Sequence, residues 1–269
     1  MSLSLSLHTA PEVPLEADCI CPDRIRGLAN ADIERLGVHH GNRVQRLADF
    51  FRVEGSFDGE LHVHGDLSRV KHIAAGMSSG LVHVHGDAGA HLGAEMSGGR
   101  VIVEGNAGDW VAPEMRGGQA CIRGNAGHLV GGAFRGSPMG MTGGEIIVGG
   151  DVRNELGHGM RNGLIAVGGG SGDFTGVNML AGTIFVLGQM GIRTGAGMKR
   201  GTVVSLKQAE LLPTFSYACR YRPGFLPLYL LYLQAFGLAV AEEHIQGRFA
   251  RWCGDAVELN RGEILLYAP

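Results

Sequence analysis

Residues 80–98 read G-L-V-H-V-H-G-D-A-G-A-H-L-G-A-E-M-S-G, and residues 99–117 read G-R-V-I-V-E-G-N-A-G-D-W-V-A-P-E-M-R-G. The same 19-residue unit recurs, with other copies opening at Gly59, Gly118, Gly144, Gly163, Gly182 and, truncated, Gly201. One methionine marks each unit, at Met77, Met96, Met115, Met141, Met160, Met179 and Met198. A unit this short cannot hold a helical hairpin, so the repetition predicts a solenoid of stacked β-coils.

Apolar columns run through the aligned units. The second and fourth residues after the opening glycine are aliphatic, as in Val82 and Val84, Val101 and Val103, or Ile146 and Val148. Such alternation is typical of a strand with one buried face, and strands stacked about 4.8 Å apart turn the columns into ladders. Further interior walls are expected from the methionines and from Leu92, Val111, Val130 and Leu156. We predict an all-β fold, a single-stranded right-handed parallel β-helix of 19-residue coils.

Glycines and short polar residues punctuate the units. The glycines that close each strand, such as Gly86 and Gly105, are expected to adopt backbone angles that a Cβ atom disfavours. Polar residues that can bond the turn backbone follow them, namely Asp87, Asn106, Asn125 and Asp151. One unit carries seven extra residues around Pro138, where a loop is predicted to leave the rod.

The chain divides into three parts. Residues 1–50 form an N-terminal cap segment, with a strand over residues 3–7, a short helix that has Asn30 as its N-cap, and a loop that holds His39 and His40. Residues 51–206 form the β-helix. Residues 207–269 supply an apolar helix over residues 225–240 and two strands, and we expect these small α/β flanking segments to pack on the rod and cover its ends.

Composition excludes several classes of protein. A net charge of −3 and a pI of about 6.4 give no electrostatic basis for binding nucleic acid. Five scattered cysteines suggest reduced thiols in a cytoplasmic protein. The N-terminus lacks a signal-peptide pattern, and no apolar segment is long enough to span a membrane.

Two outward-facing patches are candidate functional surfaces. The first is an apolar column of Ile102, Cys121, Ile147, Ala166 and Phe185, which either the chain's own helix or a partner protein should cover. The second is a patch of four stacked imidazoles, His62, His64, His83 and His85. Imidazoles at strand spacing could hold zinc, copper or nickel, but a solvated or partner-facing polar surface is the favoured interpretation, because no carboxylate or thiolate in the same columns completes a catalytic set.

Catalytic motifs are scarce. There is no H-E-x-x-H zinc motif and no P-loop lysine motif, and Cys19-x-Cys21 lacks the second cysteine pair of a zinc site. The outward acids Glu104 and Glu145 fall in different columns of the repeat. We therefore assign no catalytic residues to this chain.

Flanking motifs point to a family. The repeats, the segment G-N-R-V-Q-R-L-A-D-F-F-R-V-E-G at residues 41–55 and the segment R-W-C-G-D-A-V-E-L-N-R-G-E-I-L at residues 251–265 resemble the C subunit of formylmethanofuran dehydrogenase and of the bacterial formyltransferase/hydrolase complex. The rod alone also resembles the C-terminal β-helix domain of glutamate synthase. The glycine-rich repeat fits both families, and the two flanking motifs favour the methanofuran group.

The resemblance implies a non-catalytic scaffold subunit. Its partners would be an amidohydrolase-like A subunit, a molybdopterin-enzyme-like B subunit and a formyltransferase D subunit. The complex would use tetrahydromethanopterin, a methanofuran-like carrier and zinc, all on other chains. It would either release the formyl group as formate or, in the tungsten or molybdenum dehydrogenase, reduce carbon dioxide.

Two further hypotheses compete with the scaffold. One is that the histidine patch makes this chain a metal protein. The other is that Arg24, Arg26, Arg43 and Arg46 hold the acidic tail of a methanofuran-like carrier, although these arginines could equally be solvated.

Overall fold

The computed structural model describes residues 2–269 and consists mostly of strands. The strands are β1 (Leu3–Leu7), β2 (Leu15–Glu16), β3 (Gly37–His40), β4 (Arg43–Arg46), β5 (Phe51–Glu54), β6 (Glu60–His64), β7 (Val70–Lys71), β8 (Leu81–His85), β9 (Ser97–Val103), β10 (Gly117–Ile122), β11 (Glu145–Val148), β12 (Leu164–Val167), β13 (Thr183–Val186), β14 (Thr202–Ser205), β15 (Ser216–Tyr221), β16 (Phe249–Gly254) and β17 (Gly262–Tyr267). The helices are α1 (Pro22–Ile25), α2 (Asn30–Ile33), α3 (Leu226–Ala235) and α4 (Glu242–Gln246). The prediction of an all-β class is confirmed.

One large mixed sheet contains thirteen strands in the order β15-β16-β17-β14-β13-β12-β11-β10-β9-β8-β6-β1-β5. Its central strands pair in parallel, and each residue lies opposite its equivalent one unit along, as in Val82 opposite Val101 and Ala120 opposite Ile146. A second line of parallel bridges joins Leu67, Ala88, Ala107, Ala126, Val152, Ser171 and Met190. Both lines advance one unit at a time, so each unit lies on the unit before it.

The flanking segments extend the sheet at both ends. Strand β1 pairs in parallel with β6, and β5 pairs with β1 in the antiparallel sense. At the other end β17 pairs in parallel with β14, followed by antiparallel β16 and β15. A second, four-stranded sheet has the order β4-β3-β2-β7. The backbone edges of the outermost repeats are therefore paired with strands from the two termini.

Three local predictions in the flanking segments are wrong. Asn30 is the first residue of α2 rather than its N-cap, which is Ala29, and the Asn30 side chain donates to the carbonyl of Gly55 instead. His39 and His40 lie in β3, because hydrogen bonds to β2 and β4 on either side hold this segment extended. The apolar helix is only ten residues long, and Gly237 follows it with a φ of +86°.

The predicted interior columns are buried. Val82, Val101 and Ile146 have no exposed surface, and neither do the seven repeat methionines. The repeat methionines reach between units, because the methyl ends of several approach the opening glycine two units along, as that of Met77 does at Gly99. Among the described residues, no helix is long and apolar enough to cross a membrane.

The two glycine columns have different roles from those predicted. From Gly86 onward the strand-closing glycines do not have positive φ angles, although Gly65 does, at +120°. The opening glycines have positive φ angles, with +84° at Gly118. The closing glycines are needed for close approach instead. A Cβ atom at Gly124 would lie 2.6 Å from Oδ1 of Asn106 and 2.7 Å from the carbonyl oxygen of Gly105 in the preceding unit.

The polar residues after those glycines bond between units rather than within their own turn. Oδ1 of Asp87 accepts from the backbone N–H of Asn106 at 2.6 Å, and Oδ1 of Asn106 accepts from Asn125 at 2.9 Å. Asn125 and Asp151 continue the series, at 2.7 Å each. The series forms an Asx ladder, in which each unit satisfies a backbone donor of the next.

The chain itself covers most of the outward apolar column. Ile147, Ala166 and Phe185 are buried in a second core with Leu230 and Leu233 of α3. Ile102 and Cys121 lie beyond the end of this cover and are only half-buried. The sequence left open whether the chain's own helix or a partner protein covers this column. The chain's own helix covers the later units, while the earlier units keep an open outward face.

Because the strand-closing glycines lie against the preceding unit, a methyl group added at one of them should destabilise the chain more than a methyl group added at a glycine with open space around it. Gly124→Ala should lower the free energy of unfolding by about 1–3 kcal/mol, because the methyl group meets backbone atoms that cannot move aside. Gly224→Ala is the matched control, since a Cβ atom there meets nothing within 4 Å, and its effect should stay within about 0.5 kcal/mol. Urea denaturation of both variants measures the difference, and equal effects would contradict the proposed contact.

Candidate functional site

Four histidines form a cluster on the outward face of β6 and β8. Parallel pairing places His62 opposite His83 and His64 opposite His85. The rings of His64 and His85 stack with centroids 4.3 Å apart, and those of His83 and His85 are 4.0 Å apart. Nδ1 of His62 lies 2.9 Å from Nε2 of His85, which is a hydrogen bond between two imidazoles. The structure therefore brings together the four predicted residues.

A carboxylate also belongs to this cluster, contrary to the expectation from sequence. Glu104 stands one unit after His85 and thus in the same column, and its Oε1 accepts from Nε2 of His83 at 2.7 Å. Its other oxygen lies 2.6 Å from Nε of Arg123, which stands a further unit along. Glu60 lies at the opposite edge, with Oε2 3.6 Å from Nε2 of His62. The repeat alignment alone contained the signal, because the His85, Glu104 and Arg123 positions are one unit apart.

The local electrostatics favour the neutral form of two imidazoles of the cluster, His64 and His85. Burial lowers the pKa of His64, with further lowering from the charges of His62 and His83. Burial likewise lowers the pKa of His85, together with its histidine neighbours. The hydrogen bond from His83 and the charge of Arg123 hold the pKa of Glu104 below its ordinary value, against an opposing effect of burial. At neutral pH His64 and His85 therefore present nitrogen lone pairs near an ionised carboxylate.

A second histidine column was missed by sequence reasoning. His72 and His91 stack at 4.8 Å with an interplanar angle of 5°, and His91 stacks on Trp110 at 5.3 Å. These residues share one position of the unit, and all have positive φ angles. Leu129, Phe174 and Arg193 repeat the same backbone conformation. The conformation is therefore a property of the turn rather than the mark of a site.

The four candidate arginines belong to two separate elements. Arg24 and Arg26 lie at α1, where Nη2 of Arg26 donates to Oγ of Ser79 at 2.7 Å. Arg43 and Arg46 lie on β4, and Arg46 pairs with Asp49 at 2.9 Å. Among the described residues, no hydrogen bond or ion pair links the two pairs. Their role in holding an acidic tail stays a prediction.

The thiols and one serine motif offer little chemistry. Burial raises the pKa of Cys19 to about 12 and raises the pKa of Cys21, so both thiols remain protonated. Residues 76–80 read G-M-S-S-G, a nucleophile-elbow pattern that sequence reasoning overlooked. Ser78 Oγ donates to Asp23 at 2.6 Å, and no histidine bonds it among the described residues. This arrangement lacks the base that an activated serine needs.

An open groove adjoins the histidine cluster. It has a volume of about 730 Å³ and runs between the outward face of β9 to β11 and the segment after α3. Arg100, Ile102, Cys121, Arg123 and Phe236 contribute to its walls. A smaller cavity of about 370 Å³ lies beside the inserted loop, at Pro138 and His158.

A chain of known structure resembles this protein over almost its whole length. A chain of the formyltransferase/hydrolase complex from Methylorubrum extorquens, solved in complex with methylofuran, matches with a TM-score of 0.92 and 31% sequence identity. The match covers 99% of this chain and 100% of that chain. The C subunit of the molybdenum-containing formylmethanofuran dehydrogenase 1 of Methanothermobacter marburgensis is 44% identical over 80 residues. The chain belongs to this C subunit family.

Other members of the C subunit family match over similar lengths. The C subunit of the tungsten-containing formylmethanofuran dehydrogenase 2 of Methanothermobacter thermautotrophicus is 39% identical over 82 residues. The matched segments cover 29% of this chain in both cases, and 20% and 30% of the two relatives. The chain thus aligns with less than a third of these relatives' length. No family model matches the chain.

Acid should destabilise this member of the C subunit family through His91. Burial lowers the pKa of His91 from 6.5 to about 4. As the pH falls from 6.5 to about 4, the unfolded chain therefore takes up a proton that the folded chain excludes, and the free energy of unfolding decreases. His91→Phe keeps an aromatic ring in the stack and removes this proton. We expect the variant to lose about 1–3 kcal/mol less than the wild type over this range.

Urea denaturation at several pH values measures this difference. His39→Phe is the control, because His39 is an exposed strand residue outside both histidine columns, and its pH dependence should match that of the wild type. An unchanged pH dependence in His91→Phe would show that His91 is not the group responsible.

Proposed function

We propose that this chain is a non-catalytic scaffold subunit of a multi-subunit enzyme complex of one-carbon metabolism. In this proposal the complex transfers a formyl group between tetrahydromethanopterin and a methanofuran-like carrier and hydrolyses it to formate. The observation that carries the proposal is the likeness to a chain of the formyltransferase/hydrolase complex, which extends over 99% of the present chain. A likeness confined to the glycine-rich repeat would suit any protein with such a rod.

The proposed partners supply the chemistry. They are an amidohydrolase-like A subunit, a molybdopterin-enzyme-like B subunit and a formyltransferase D subunit. These chains would hold zinc, the pterin and the carrier. We propose that the complex is cytoplasmic. In this proposal the present chain carries no catalytic residue.

The rod suits the role of a platform. We propose that the stacked units form a right-handed parallel β-helix of 19-residue coils, which the two lines of parallel pairing support. Such a rod has extended side walls, and its successive units hold equivalent side chains at a constant spacing. Partner proteins can therefore dock along its length without requiring a cleft.

Helix α3 supplies a specific docking surface. Leu226, Leu230 and Leu233 bury one side of the helix against the sheet. On the other side Leu228 is 73% exposed and Leu231 is 50% exposed. A helix that is apolar on both sides is normally covered on both sides. We therefore propose that a partner protein of the complex packs on the α3 outer face, defined by Leu228 and Leu231.

The alternative is that the chain is the C subunit of a tungsten- or molybdenum-containing formylmethanofuran dehydrogenase. The 44% identity over 80 residues to the molybdenum-containing relative favours it. The two proposals share a scaffold role and differ in the catalytic chains that accompany it. Affinity purification of the full chain from its native cell, followed by mass spectrometry, separates them. Recovery of a formyltransferase supports the first, a tungsten- or molybdenum-containing chain supports the second, and a lone chain would contradict both.

The α3 outer face can be tested directly. Leu228→Glu combined with Leu231→Glu should reduce recovery of partner chains at least tenfold, because the charges must be desolvated in the interface, and tenfold corresponds to about 1.4 kcal/mol. The stability of the isolated chain should change by no more than about 0.5 kcal/mol, since both side chains are exposed.

Val44→Glu is the matched control for the α3 outer face. Val44 is 66% exposed on β4, an element of the other sheet, and the substitution likewise places a carboxylate on an exposed apolar position, one instead of two. Partner recovery should remain at the wild-type level in this variant. Unchanged recovery in the double α3 variant would exclude this helix as a docking surface.

A further inference from the structure

We infer that His62, His83 and His85 form a Zn²⁺ site. One nitrogen from each of these three residues lies within 4.8 Å of the other two. A tetrahedral zinc with bonds of about 2.0–2.1 Å separates its nitrogen ligands by about 3.3 Å. His62 and His85 already bring Nδ1 and Nε2 to 2.9 Å. Small rotations of surface side chains therefore suffice to complete the site.

Glu104 supplies the support that a zinc-bound histidine needs. A ligating imidazole normally donates its other N–H to a carboxylate, which fixes the tautomer and the ring orientation. Nε2 of His83 makes this contact with Glu104 at 2.7 Å, which leaves Nδ1 as the lone-pair donor. Arg123 in turn holds Glu104 at 2.6 Å. The contacts extend outward from the cluster over three consecutive units, and a merely solvated histidine surface has no need of them.

The strands hold the ligands in place. His62 and His83 are paired across β6 and β8. The residues that follow them, Val63 and Val84, are fully buried on the opposite face of the strands. The ligand Cα atoms are therefore fixed before a metal binds, and only side-chain torsions remain to be ordered. Because the side chains are imidazoles, the site favours zinc, copper or nickel over magnesium or calcium.

His64 is assigned a packing role rather than a fourth ligand. Its ring lies parallel to that of His85, with an interplanar angle of 4° and a centroid distance of 4.3 Å. His64 also lies outside the group of three histidines whose nitrogens are within 4.8 Å of one another. The fourth zinc position is therefore left to water or to an incoming group, as in zinc sites with three protein ligands.

The test uses the full chain, purified without a histidine tag and treated with a chelator. Zn²⁺ is titrated in competition with a chromophoric chelator, and Co²⁺ is used as a spectroscopic probe, because its visible absorption distinguishes four-coordinate from six-coordinate binding. We expect one equivalent of metal and a four-coordinate spectrum. His85→Gln should weaken Zn²⁺ binding at least 100-fold, and Glu104→Gln should weaken it about 10- to 100-fold.

Two control variants define the site. His39→Gln removes an exposed histidine outside the cluster, and His64→Gln removes the stacked ring, so both should retain zinc affinity within a few-fold of the wild type. Thermal unfolding without metal checks that each variant is folded. The inference is overturned if the wild type binds less than one equivalent, or if His85→Gln and Glu104→Gln bind as tightly as the wild type. Because the readout is metal binding by the isolated chain, it is independent of the proposed assembly.

Discussion

The distance between successive units is the constraint on which this structure depends. Parallel strands must lie about 4.8 Å apart to bond each other, and at the strand ends no room remains for a Cβ atom, as the contacts around Gly124 show. The Asx ladder uses the same closeness, since Asp87 and Asn106 reach the backbone N–H of the next unit only when the units touch. A polar ladder at the surface and an apolar interior therefore require the same spacing.

This spacing also determines what the rod displays. Identical positions in neighbouring units hold their side chains in contact, so the histidines of β6 and β8 meet and Glu104 and Arg123 continue the arrangement. In the later units the strands are apolar on both faces, and α3 covers the outward apolar face. The helix in turn leaves Leu228 and Leu231 exposed. Successive layers of cover are typical of a chain that is completed by neighbouring proteins in an assembly.

Much of the fold could be predicted from the repeat alone. The aliphatic columns could be assigned to the interior, because alternation of apolar and polar residues places all the apolar side chains on one face of the strand. The histidine cluster follows from the register, which sets equivalent positions of successive units side by side. The roles of the two glycine columns could not be distinguished, because closing glycines and opening glycines are equally invariant within the units and only coordinates show which lacks space. Glu104 could have been found from the alignment, because it shares the column of His85, but its contact with His83 runs diagonally between columns and needs coordinates. The extended course of His39 and His40 depends on strand pairing that no local pattern contains. The end of α3 shortly before Gly237, which has a φ of +86°, instead follows a local glycine signal that the prediction did not use.

The central claim is that contact between units, made through the Asx ladder and the glycine columns, holds the rod together as one cooperative body. Native-state hydrogen exchange at the backbone amides of Asn106, Asn125, Asp151 and Gly170 tests it most directly, because each amide donates to the side chain of the preceding unit. The account predicts that all four exchange only through openings whose free energy is close to that of global unfolding. Exchange of these amides as fast as that of the inserted loop near Pro138 would contradict it.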